Sequence, residues 1–426
     1  MCPARYPPGA PSRCQNSYNR PVVSTAVAHD RPLVLEYPAV TDISKTCAFA
    51  GFFVAGLLFG LLGAVLPAWR HHIDYDFVVV GNYFLSLGVG VLASAEIARR
   101  LLPQKGASYV LGVACVTACA GLLILALASP PAHWIWRALG LLILGCGAGT
   151  LRTASFQAIA PLYRQDPAAT VNLAGLVFGF GSLLVTFLIS GTFYAYSVST
   201  VLVFLAVVPA AWAWIYVRRT HSPPAALDNQ PDLHETLRDF RRTGPVLLAL
   251  LLFFQLGNEW SVAGWLPVFL VRRLGISPET SLQLLGLFWF ATLAGRVASV
   301  WVLRRISYAK LLFFSAVSSL FGCTMLLLTD KASGAAMGLL LVGLGFAAIY
   351  PLVAEKIGRR FPYYRPGFFN GIFSVAITGA MIVPCLIGYA AAVWDCSVAM
   401  VWPLLGTCLV FLLVPLIWLE SKLNGT

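Results

Sequence analysis

The chain has 426 residues, of which 59% are hydrophobic and only 11% charged, with a net charge of +12; its mean hydropathy is +0.80. A water-soluble domain needs far more polar surface than this. The apolar residues come in long runs, not in the alternating pattern of a membrane β-barrel, and the Lys and Arg sit in short connectors such as Arg99-Arg100 and Arg304-Arg305, which argues against a nucleic-acid surface.

Residues 1–44 hold several Pro and Arg with little apolar periodicity and predict a flexible cytoplasmic tail. The first apolar run, Cys47 to Trp69, is uncharged and too long for a signal peptide. It is long enough to cross the hydrocarbon core as a helix, which takes about 20 residues. Twelve such spans are predicted. The first six are 46–69, 77–98, 107–129, 134–160, 168–191 and 196–217. The last six are 245–271, 280–303, 309–329, 334–356, 365–391 and 396–419. The predicted fold is an all-α membrane protein of two pseudo-symmetric six-helix bundles, 45–217 and 245–420, joined by a cytoplasmic linker, 218–244, and ending in a short tail, 421–426.

Most of the 29 Lys and Arg fall on one side of this arrangement, whereas Arg70, Arg272, Arg273 and Lys331 are what the other side carries. That asymmetry predicts both termini in the cytoplasm. The ten cysteines are scattered, with no Cys-x-x-Cys pair and no Cys/His cluster at metal spacing. No metal or cofactor is expected.

The two halves repeat. Gly90-Val-Leu-Ala93-Ser94 followed by Arg99-Arg100 recurs as Gly295-Arg-Val-Ala298-Ser299 followed by Arg304-Arg305. Gly140-Leu-Leu-Ile-Leu-Gly145-Cys-Gly147 recurs as Gly338-Leu-Leu-Leu-Val-Gly343-Leu-Gly345, and Asn172 and Gly181 recur as Asn370 and Gly379. Parallel six-span repeats suit an alternating-access carrier with its solute site near the midplane.

Several motifs point the same way. Gly257-x-Glu259, Gly264-Trp265-Leu266, Phe288-Trp289 and Gly295-Arg296 stand in order along spans seven and eight, with Phe178-Gly179-Phe180-Gly181, Tyr350-Pro351 and Arg359-Arg360-Phe361-Pro362 elsewhere. On these residues the chain resembles the major facilitator superfamily and, within it, the fucose–hexose permease-like group. The resemblance covers all twelve spans. It implies the major facilitator fold and secondary transport of a sugar or related polar solute. Proton-coupled members of that group use acids in the first and fourth spans. Here the first span has none and the fourth carries Arg152, so coupling by that route is not implied.

Ionisable groups inside spans cost ~2.5–3.5 kcal/mol or more at the bilayer centre, so each needs a reason. Glu259 falls near the middle of span seven, and Gln255 shares its helix face. With Asn258, they could hold solute hydroxyls, or Glu259 could titrate as a coupling group. A structural carboxylate is the alternative. Arg152 could bind an anionic group or hold Glu259, and by the repeat it matches Tyr350 across the cavity. Trp265 could stack on a sugar ring. The candidate solute-binding or coupling set is Glu259, Arg152, Asn258, Gln255, Trp265, Tyr350 and Asn172. Arg296, Arg99, Arg100, Arg304 and Arg305 are read as gating or structural. Arg137, three residues into its span, is expected to snorkel to the interface.

The reading is a carrier, acting as a monomer in a lipid bilayer, for a small solute with a coupling proton or sodium ion. A bacterial cytoplasmic membrane is the expected location. The alternatives are an exporter of organic anions or amphipathic compounds, and a non-transporting sensor on a carrier fold. An enzyme is disfavoured: there is no Gly-x-Ser-x-Gly turn, no metal-spaced His set and no paired carboxylate on one helix.

Overall fold

Inside a bilayer every backbone group must find its partner within the protein, which restricts a chain of this composition to helices. The computed structural model describes residues 45–70, 76–160, 162, 166–218, 243–360 and 366–423. The tail read at 1–44 and most of the linker read at 218–244 lie outside the described residues. The helices are α1 (Lys45–Arg70), α2 (Phe77–Leu127), α3 (Trp134–Ala158), α4 (Pro167–Thr192), α5 (Val198–Arg218) and α6 (Thr243–Leu274). They continue with α7 (Pro278–Val302), α8 (Tyr308–Leu328), α9 (Ala332–Arg360), α10 (Pro366–Trp394) and, after a 3₁₀ turn at Cys396–Met400, α11 (Val401–Leu423).

All 11 are long and apolar enough to cross a membrane. Helix α2, at 51 residues, is ~76 Å long at 1.5 Å per residue, more than twice the hydrocarbon thickness. It carries two crossings, broken at Gly106, whose φ of 78° and ψ of 166° leave the helix. Glycine tolerates that positive φ because it has no Cβ. Twelve crossings result. The sequence predicts a connector between 98 and 107, but the chain stays helical up to Gly106. Glu96 explains part of this: it pairs with Arg99 at i+3 and Arg100 at i+4, contacts that favour a helix.

The starts of the helices follow local chemistry. The side chain of Asp76 accepts from the Val78 and Val79 amides at 2.9 and 3.4 Å. Asp166 accepts from Ala169 at 3.0 Å and Ser277 from Thr280 at 3.1 Å, and both precede a proline in the first turn. Each cap satisfies amides that have no partner within the helix.

The sequence repeat has a packing basis. A Cβ on Gly181 of α4 would collide with the Phe53 carbonyl of α1, and a Cβ on Gly379 of α10 with the Phe253 carbonyl of α6. The same absence of a side chain lets the same two backbones meet in each half. Contacts between halves obey the repeat too: α2 packs on α10 and α4 on α7, pairs that the repeat exchanges.

We call the face carrying Lys45, Arg218, Thr243 and Leu423 the terminal face, and the other the far face. A buried apolar core runs through both halves towards the far face, taking in Leu66, Trp69, Trp265, Phe269 and Leu282. Towards the terminal face the second half has a separate core of its own, built around Leu252, Ile349 and Val410. The two halves therefore share a core on the far side, whereas towards the terminal face the second half is cored separately.

Arg137 does not snorkel. It is 6% exposed and donates to the Tyr83 hydroxyl at 2.7 Å and to the Ala132 carbonyl at 2.9 Å. The rings of Trp69 and Tyr83 each lie 5.8 Å from its guanidinium.

Replacing Gly181 or Gly379 by Val should each destabilise the purified protein by ~1–3 kcal/mol through overpacking. A calorimetric melt unchanged in either variant would show that the close approach is not required there.

Candidate solute site

Helix α6 places the site. It runs 32 residues from Thr243 to Leu274, and Glu259 lies about 24 Å from its first residue at 1.5 Å per residue, close to its middle. The helix packs against α10 and α11 of its own half and against α1 of the other. It is thus a central element with walls on several sides.

A cavity lies where the halves meet. Phe59 of α1, Gly88 of α2, Arg152 of α3, Leu256 and Trp260 of α6, and Met381 of α10 line it. Trp260 stands edge-on to Phe59, with ring centroids 4.9 Å apart and planes at 83°. The α6 wall is therefore the Leu256–Trp260 edge. The Gln255–Glu259 edge is one residue round the helix and buried: Gln255 is fully enclosed, with neither amide atom hydrogen-bonded, and Glu259 is 8% exposed.

The charged groups gather around Tyr350 of α9. Arg152, Arg296 and Glu259 all lie close enough to its hydroxyl to interact electrostatically. Arg296 and Glu259 feel each other's charge too, but no direct ion pair joins them among the described residues. Arg296 of α7 lies against Gly175 of α4, where a Cβ would strike its guanidinium. It is 7% exposed, and its Nε and Nη1 have no hydrogen-bond partner. Asn172 donates its side-chain amide to the Arg296 backbone carbonyl at 3.1 Å. Two buried ionisable side chains, Glu259 and Arg296, the half-buried Arg152 and one phenol, from four helices of both halves, thus come within electrostatic reach of one another.

The other residues singled out in the sequence lie elsewhere. Asn258 donates to Thr407 of α11 at 3.3 Å and packs on Gly406. Trp265 is fully buried, donates its indole N–H to the Pro384 carbonyl at 2.9 Å and stacks on Phe84 at 5.8 Å and 27°. It joins α2, α6 and α10 on the far side of the cavity. Trp260, which the sequence offers equally well by type, is the tryptophan in the wall. Nothing in residue type separates the two; only the rotation of α6 does. Arg99 and Arg100 are exposed and bound to Glu96, and Arg304 and Arg305 are exposed at the end of α7, on the same terminal face.

On the far side the halves close through small residues. A Cβ on Gly63 of α1 would run into the Ala263 carbonyl of α6, and one on Gly81 of α2 would come within 2.8 Å of the Cys385 carbonyl of α10. Tyr389 donates to Asn82 at 2.9 Å beside them.

The sequence model of the Major Facilitator Superfamily matches residues 48–384. The chain belongs to the major facilitator superfamily. Among its relatives, an uncharacterised MFS-type transporter of Yersinia pestis is 23% identical over 354 residues, covering 82% of this chain and 89% of the other. The glucose/mannose transporter GlcP of Bacillus subtilis is 23% identical over 364 residues, covering 80% and 86%. Among solved structures, a variant of the nucleoside transporter NupG superposes with a TM-score of 0.67 at 12% identity, over 88% of this chain and 99% of that one. A variant of the fucose:proton symporter FucP of E. coli superposes with a TM-score of 0.61 at 16% identity, over 88% and 98%. At such identities the superpositions show the fold. As a superfamily member, the chain is a multi-pass membrane transporter, and its halves are the paired bundles of that fold.

In Gly63→Val the α1–α6 contact cannot close. A cysteine placed at Ala380, in the cavity wall, should then react with a membrane-impermeant thiol reagent applied to the far face, unlike the same cysteine on the parent background. Equal protection in both would show that this contact does not seal the cavity.

Proposed function

We propose that this superfamily member is a secondary active transporter that moves a sugar or a related small polar solute by alternating access, coupled to a proton or sodium ion. The observation that carries the reading is Glu259: a carboxylate buried at mid-depth, with no hydrogen bond or direct ion pair among the described residues, next to the cavity residue Trp260. Leaving such a group inside a membrane is costly unless a ligand or proton satisfies it. Beside it, the Trp260 and Phe59 rings offer the apolar face on which a sugar ring can lie, as concave sites usually combine apolar walls with a few polar anchors. GlcP is a sugar transporter by name and FucP a sugar:proton symporter, which agrees with this class.

The moving bodies are the two halves, 45–217 and 245–420. In the proposed cycle the far side is shut by the Gly63 and Gly81 contacts while the terminal side parts. The reverse state would open the far side and bring the terminal sides together. Both termini face the cytoplasm of a bacterial inner membrane in this reading, supported by the exposed Arg99, Arg100, Arg304 and Arg305 on the terminal face. The transporter acts as a monomer.

The reading is tested by melting the purified protein in the presence of sugars, sugar derivatives and nucleosides. A ligand that binds only the folded state at a hundredfold excess over its Kd stabilises by ~2.7 kcal/mol. A hit among sugars or their derivatives is expected, and Glu259→Gln should abolish it while melting like the parent without ligand. A response confined to nucleosides, or a hit untouched by Glu259→Gln, would reject the reading.

A further inference from the structure

The solute can be specified further from the charges, and the step rests on the transport reading above. Three ionisable side chains interact around Tyr350: Arg152, which lines the cavity, and Glu259 and Arg296, which lie beside it. With Glu259 ionised, their sum is one positive charge. Arg137 does not enter this balance, because it lies nearer the far face with neutral acceptors around it.

Glu259 and Arg296 offset one another at a distance. Arg152 is different. It stands in the cavity wall and makes no hydrogen bond or ion pair among the described residues. Its electrostatic neighbour, Tyr350, is a phenol and supplies no negative charge at neutral pH. A guanidinium left without an anion in a membrane interior is expensive. A solute that supplied the anion would offset part of that cost, less the desolvation of its own carboxylate.

We propose that the cavity takes a monoanionic hydroxylated carboxylate, a sugar acid of the aldonate or uronate type. The carboxylate is held by Arg152, and the carbon skeleton lies against Trp260 and Phe59. The guanidinium fork matches a carboxylate with two parallel hydrogen bonds. One carboxylate balances the single surplus charge. A phosphate monoester, at about −1.5 to −2, would overshoot it. In the proposed complex Glu259, which stands one residue round α6 from Trp260 and does not line the cavity here, would turn to accept from solute hydroxyls and would repel a second acidic group. That combination selects one carboxylate and several hydroxyls on the same small molecule.

The test uses the full chain in nanodiscs, titrated calorimetrically with glucuronate, gluconate, glucose and butyrate. Glucuronate or gluconate should bind at least about tenfold more tightly than glucose or butyrate. Arg152→Gln should weaken that binding by about tenfold or more while leaving the ligand-free melting temperature near the parent's. Arg152→Lys, which keeps the charge and loses the fork, should fall between the two; it also serves if the Gln variant does not fold. Glucose binding as tightly as the sugar acids would overturn this inference and leave the sugar reading standing. Butyrate binding as tightly as the sugar acids would overturn both, as would silence from all four ligands. Sugar-acid binding unchanged in both Arg152 variants would remove Arg152 from the site and overturn the inference.

Discussion

Hydrocarbon supplies no hydrogen-bond partner and screens no charge, and this constraint organises the whole molecule. It forces the backbone into helices. It also removes the hydrophobic drive for helices to associate, so packing has to come from close contact. Gly181 and Gly379 meet that need at equivalent points, each admitting the carbonyl of a neighbouring helix. The repeat visible in the sequence is therefore a repeat of contacts: α4 meets α1 in one half as α10 meets α6 in the other.

The same constraint gives meaning to the few charges that remain. Arg137 has its N–H groups accepted by two carbonyls and a phenol that hold it in place, and so reads as architecture. Arg152, Arg296 and Glu259 are not satisfied in that way. They stand on helices from both halves around one phenol, Tyr350. In the proposed cycle, a group of charges shared between the two halves is a natural place to couple solute binding to their motion, because the field each charge feels would change as the halves rock.

The asymmetry of the core fits this picture. The halves share buried apolar side chains on the far side, whereas the second half keeps a separate core on the terminal side. On the far side the halves meet backbone to backbone at Gly63 and Gly81, and large side chains such as Phe84 and Trp265 interlock beside those contacts.

Much of the molecule is legible in the sequence. The twelve crossings, the two related halves and the unusual standing of Glu259 and Arg152 follow from composition, repeat and the cost of charge in a membrane, which are local quantities. The α2 connector was not legible, because the Glu96 pairs that favour helix there look like ordinary loop charges until the chain is seen to stay coiled. Nor was the choice between Trp260 and Trp265. They lie five residues apart on one helix, about 140° round its axis at 3.6 residues per turn, and only the packing of α6 against α1, α2 and α10 decides which ring enters the cavity and which is locked against Pro384. Arg137 follows the same logic: its residue type suggests a side chain reaching for the interface, but the three-dimensional placement of Tyr83 and the Ala132 carbonyl supplies acceptors inside. Sequence determines how many helices cross and which residues are costly to bury. Tertiary structure decides which of those residues face one another, because rotation about a helix axis and contacts between distant segments are set by packing across the whole bundle.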